Sequence, residues 1–228
     1  MMAWSEYVLA LAAFVASHFL PRLGGLREGL IGLLGRRVYF AAYGLLSLAL
    51  LVWLIIAAGR APYVELWPQL PWTRWLPNLA MPLAFVMVTC GGGLSAVTLG
   101  GRSKAAFDPA RPGFAAISRH PLFLSLALWS GAHLFPNGDL AHVVLFGSFL
   151  VMALAAVAAF DAKARRSLGE RAGAYFGATA LLSLGPLFDP GWRRANLRRL
   201  ALRAALGLVL WQGALHLHAL AGVSPLPH

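Results

Sequence analysis

Acidic side chains are scarce in this sequence, with 8 Asp and Glu against 19 Lys and Arg, a formal net charge of +11. Cysteine is scarcer still. The single Cys90 excludes an internal disulfide and any multi-cysteine metal site, and it reads as a small apolar residue packed in a helix. Charge of either sign makes up only 12% of the chain. The N-terminus lacks a basic n-region, and its apolar run ends at His18-Phe19-Leu20-Pro21 without a small-residue cleavage motif, so no cleaved signal peptide is expected. No internal repeat is apparent.

Apolar residues fill what charge leaves empty. They form 59% of the 228 residues, and the mean hydropathy of +0.69 is too high for an ordinary soluble domain. Nearly uncharged stretches recur at about the length that crosses a bilayer as a helix. Six are expected to span: 4–20, 38–58, 76–97, 114–135, 140–160 and 200–220. The expected fold is therefore all-α, a polytopic membrane helix bundle forming one domain over 1–228. Its core is 4–160, followed by a basic connection at 161–199 and a final helix at 200–220.

An excess of positive charge first raises nucleic acid as a partner. Its distribution argues for the lipid bilayer instead. Arg27, Arg36 and Arg37 fall in the first connection and Arg102, Lys104 and Arg111 in the third, while the fifth holds Lys163, Arg165, Arg193 and Arg194 among others. Even-numbered connections hold only Arg60 and Arg74, and Glu65 and Asp139 lie there too. This alternation is the positive-inside bias, which puts the basic loops in the cytoplasm and both termini on the outer face. Trp67, Trp72 and Trp75 suit an outer aromatic belt. Gly91-Gly92-Gly93 reads as close helix packing or a kink, and 174–188 as a short interfacial or re-entrant segment.

The sharpest signal is the corner Ser118-Arg119-His120-Pro121, opening an apolar helix that carries His133. Ionisable groups inside an apolar span are costly, so each is a site candidate, and imidazole is well suited to binding iron. Topology puts His18 and His120 near the cytoplasmic face and His133, His142, His216 and His218 near the outer one. His120 and His133 lie thirteen residues apart, about 20 Å along one helix, and cannot share a metal ion from a straight helix. Depth pairs His18 with His120, or His133 with His216. Trp129 and Ser130 stand one turn before His133 and line its face. Asp161 is expected at the cytoplasmic end of its helix, as a solvated residue, and His120 reads equally as a helix-start residue among headgroups.

Several of these runs together resemble the NnrU family of bacterial membrane proteins. They are His18-Phe19-Leu20, Leu26-Arg27-Glu28 and Arg37-Val38-Tyr39, then the corner, Ala132-His133-Leu134, Asn137-Gly138-Asp139 and Leu145-Phe146-Gly147. The resemblance implies a multi-pass protein of the bacterial inner membrane that supports denitrification through active nitric oxide reductase, with assembly components of that enzyme as partners. The family is related to plant zeta-carotene isomerase, a haem b protein, so it further implies haem b with His18 and His133 as iron ligands. Arg119, His120, Trp129 and Ser130 would then surround the cofactor. An enzymatic version of the same resemblance is a haem-dependent cis–trans isomerase of a lipophilic polyene. Ser130 stands where the isomerase has a cysteine, which removes a cysteine-based ligand switch.

The corner also resembles membrane methyltransferases of the isoprenylcysteine carboxyl methyltransferase type. That likeness extends to Asp161, Leu168-Gly169-Glu170 and Tyr175, and implies that Arg119, His120 and Asp161 bind S-adenosylmethionine at the cytoplasmic face.

Overall fold

The computed structural model describes residues 2–92, 94, 107–220 and 222–226. They form helices α1 (Met2–Phe19), α2 (Leu26–Leu34), α3 (Arg36–Arg60), α4 (Trp75–Cys90), α5 (Pro121–Leu134), α6 (Leu140–Leu168), α7 (Ala172–Ala178) and α8 (Pro190–Leu220). Among the described residues there is no strand, only an isolated bridge between Glu65 and Asp139. Three helical stretches among the described residues are long and apolar enough to cross a membrane: Arg36–Arg60, Leu140–Ala178 and Pro190–Leu220. At most 17% of their apolar windows is buried inside the protein, so these side chains face outward, as lipid-facing surfaces do.

The chain divides into two compact units, Met1–Pro68 with Gly138–Leu145, and Gln69–Asn137 with Phe146–His228. In the first, α1 packs along α3, and the buried Tyr7 donates its hydroxyl to the Ala141 carbonyl at 2.7 Å. Glu6 accepts from the Trp53 indole at 3.4 Å and lies 3.6 Å from the Arg60 guanidinium. The short helix α2 was not among the expected elements. Gly35 separates it from α3 with φ of 77°, a backbone setting that glycine adopts without a Cβ penalty. None of its residues is buried.

In the second unit α4 packs against both α5 and α8. Arg203 of α8 donates to the carbonyls of Cys90 and Gly92, capping the C-terminal end of α4. Cys90 is buried, as a small apolar residue should be.

Element ends depart from the expected spans in four places. The stretch read as 76–97 is helical to Cys90, and 93 and 95–97 lie outside the described residues. Of its glycines Gly91 acts by close approach, since a Cβ there would overlap the Pro121 ring, whereas Gly92 has room for one. The stretch 114–135 is not one helix. It starts as a 3-10 turn, Gly113–Ala116, and becomes α5 only at Pro121, because proline takes the first helical position and bars the residue before it from helix. The helix read as 140–160 runs on to Leu168, and the last begins at Pro190 rather than at 200. Arginine is a good helix former, so the basic residues at both ends continue the helices they were expected to terminate.

Candidate functional site

The corner is built by backbone first. The Arg119 amide donates to the Ala180 carbonyl at 2.8 Å, the Ala180 amide to Ala115 at 3.1 Å, and the Ser183 amide to Ile117 at 2.9 Å. Non-helical backbone is thereby satisfied within the protein, the condition for irregular chain at membrane depth. His120 caps α5 with φ −127° and ψ 52°, and this setting turns its ring back toward α6.

There it meets Asp161. Arg119 donates from Nε to Oδ1 at 2.9 Å and from Nη2 to Oδ2 at 2.6 Å, while His120 Nε2 donates to Oδ1 at 2.6 Å. A two-pronged guanidinium with a third donor leaves the carboxylate fully partnered. The Phe176 ring takes the Arg119 guanidinium at 5.1 Å and that of Arg165 at 4.1 Å, a cation–π sandwich on α7. These positions correct two expectations. Asp161 is no solvated helix end: it lies inside α6, with its side chain only 19% exposed. His120 is not solvated among headgroups, being 2% exposed. Around the network three buried polar atoms have no hydrogen-bond partner among the described residues: Ser118 Oγ, His120 Nδ1 and Tyr175 Oη. Buried polar atoms ordinarily find partners, so this cluster can accept a water or a small polar ligand group.

The other end of α5 is different chemistry. His133 Nδ1 donates to the carbonyl of Trp129 at 2.7 Å, one helical turn back. A carbonyl only accepts, so in the neutral ring the proton sits on Nδ1 and Nε2 keeps a lone pair. Aromatic rings wall the imidazole, with Phe146 stacked at 5.3 Å and Trp129 at 5.7 Å. Ser130 is fully buried and spends its hydroxyl on the Leu126 carbonyl at 2.7 Å, so it stabilises its own helix.

His18, in the first unit, repeats the pattern. Its Nδ1 donates to the Phe14 carbonyl at 2.8 Å, and Nε2 accepts from the Ser47 hydroxyl at 3.4 Å. Phe14 and Tyr43 flank the ring at 4.4 and 6.0 Å. Of the pair near the end of α8, His216 is exposed and His218 half-buried, within electrostatic reach of His133. His142 is engaged by the Asp139 carboxylate at 2.7 Å. Among the described residues no three His, Cys, Asp or Glu side chains converge as a metal-ion site.

Of the residues read from sequence, the structure thus joins Arg119, His120 and Asp161, and separately joins Trp129 with His133. Arg119 keeps both Nη1–H donors and the second Nη2–H for a further acceptor. Sequence reading did not find the Phe176 sandwich or the stacking of Phe146 on His133. Both depend on where α6 and α7 run, and no spacing along the chain reports that.

A family model described as NnrU protein matches residues 6–225. No curated protein matches the chain. No solved structure does either.

Proposed function

Since the chain belongs to the NnrU family, we propose that it is a haem-b-binding membrane protein supporting denitrification through active nitric oxide reductase, with His18 and His133 as iron ligands. The observation that carries the haem reading is the shared state of the two imidazoles. Each fixes its Nδ1–H on the carbonyl four residues back and so aims an unprotonated Nε2 away from its own helix. An orienting hydrogen bond of this kind is what metal-bound histidines use to set tautomer and ring direction. The donor set fits haem b, whose iron takes imidazole nitrogen. When bound, haem b would supply a one-electron iron centre.

The protein residues have separable tasks. Trp129 and Phe146 exclude water from the His133 ring and restrict its rotation. Arg119, His120 and Asp161 hold the start of α5 against α6. We also take the six apolar stretches as spans, with both termini on the outer face of the bacterial inner membrane. At 14 residues α5 is about 21 Å long, short of the roughly 30 Å hydrocarbon layer. The internally bonded corner before it makes up the difference.

The test is an absorption spectrum of the purified protein, oxidised and reduced, after expression with ample haem. A Soret band that changes in His18→Ala and in His133→Ala is expected. A protein without a Soret band overturns the reading. The denitrification role is checked apart from this, by nitric oxide consumption in a denitrifying host deprived of its own family member.

One observation favours a second reading. Arg119, His120 and Asp161, the residues of the methyltransferase likeness, meet at one point beside the unpartnered Tyr175 hydroxyl. Under that reading the cluster takes S-adenosylmethionine. Saturable binding of S-adenosylmethionine to haem-free protein, lost in Asp161→Asn, would favour it over haem.

A further inference from the structure

The first turns of α8 carry Arg193, Arg194, Arg198 and Arg199, all exposed. None of their guanidinium groups has an ion pair, hydrogen bond or ring contact among the described residues. Elsewhere in the second unit Arg119 is spent on Asp161, Arg165 on Phe176 and Arg203 on carbonyls at the end of α4, while Arg166 and Arg171 stand singly and exposed rather than as a cluster of four. The nearest acid in sequence, Asp189, uses its carboxylate on the Trp192 amide as a helix cap. Four unspent cations on two turns repel one another unless an external anion neutralises them.

Two of them line a space. Pro190, Arg193, Arg194 and Leu197, neighbours on one face of α8, line a shallow open cleft of about 320 Å³. Beside it in the chain stand large apolar side chains turned outward, Leu184 at 60% exposure and Phe188 at 80%. Beyond it α8 turns apolar, with Leu206 and Val209 exposed on the stretch long enough to span a membrane. Guanidinium at the level where a spanning helix leaves the hydrocarbon, flanked by outward apolar groups, matches a ligand with an anionic head and an apolar tail.

We propose that this cleft binds the phosphodiester headgroup of an anionic phospholipid. Arg193 and Arg194 donate to the phosphate oxygens, a pairing suited to the planar guanidinium fork. Leu184, Phe188 and Leu197 lie against the first carbons of the acyl chains. The site serves neither histidine pair and stands whether or not the chain binds haem. Its role is to fix the height of α8, and so of α4 packed on it, against the membrane surface.

Native mass spectrometry of the full-length protein in detergent, with phosphatidylglycerol and phosphatidylcholine as probes, tests it. Wild-type protein should retain phosphatidylglycerol in clear preference. Arg193→Gln/Arg194→Gln should weaken that retention about 30-fold, taking about tenfold per 1.4 kcal/mol and about 1 kcal/mol per arginine at a lipid surface. Arg36→Gln/Arg37→Gln, equally basic but at the start of α3, should leave it unchanged. Equal retention by the α8 variant overturns the proposal, as does an equal loss in the α3 control, which would mean diffuse charge. Competition by millimolar inorganic phosphate overturns the lipid as occupant. Should the α8 variant lose helicity, the salt dependence of wild-type retention decides: phosphatidylglycerol should dissociate as ionic strength rises, and salt-independent retention overturns the proposal.

Discussion

At the N-terminal end of α5, His120 gives its Nε2 to Asp161 and shares that carboxylate with the Arg119 fork; at the C-terminal end, His133 gives Nδ1 to its own helix and keeps Nε2 uncommitted. The same residue type, thirteen residues further along the chain, is consumed in one place and available in the other. The difference comes from what each ring can reach. His120 faces a carboxylate on α6, the best acceptor in the neighbourhood, whereas His133 faces the rings of Trp129 and Phe146, which accept nothing comparable. An ionisable group in an apolar bundle therefore has two outcomes. Matched to a counter-charge it ties elements together, and walled by aromatics it is left for a ligand.

The largest effect should come from breaking the consumed end. Asp161→Ala strands Arg119 and His120 without their carboxylate and should cost about 3–5 kcal/mol, read by thermal unfolding in detergent. If haem is present, correctly folded Asp161→Ala protein should keep its Soret position. A ligand-field change with the fold intact would show that the two ends are not separate. Next comes Gly91→Leu, whose side chain has to displace the Pro121 ring and should cost about 1–3 kcal/mol, again without altering any iron spectrum.

His133→Ala inverts this pattern. Its stability loss should stay near 1 kcal/mol, about the worth of one hydrogen bond, while the haem spectrum changes or disappears. A loss as large as that of Asp161→Ala would mark His133 as structural. The smallest effect should be at His216, whose ring is exposed. His216→Ala should lie within about 0.5 kcal/mol of wild type and leave the spectrum untouched. A spectral change there would restore the pairing of His133 with His216 that depth alone allowed.

Much of this was legible in the chain. The apolar stretches located α1, α3 and the outward-facing helices, and Pro121 announced the start of α5 through its ring geometry alone. Pairing Arg119 and His120 with Asp161 was also within reach, through the methyltransferase likeness. Legibility failed where an element continued into charge. The basic stretches after Phe160 and before Leu200 read as loop, although arginine-rich segments propagate a helix once apolar turns have nucleated it. The unpartnered arginines of α8 looked like topology until the cleft between two of them was visible.

The sequence by itself determined the membrane class, the helical period and the identity of each ionisable residue, because hydropathy and proline geometry are local properties. Tertiary structure decided which histidine was spent. Asp161 stands forty-one residues from His120 in the chain and 2.6 Å from it in space. Only the folding of α6 onto the corner turns one imidazole into a strut and leaves another with a free nitrogen.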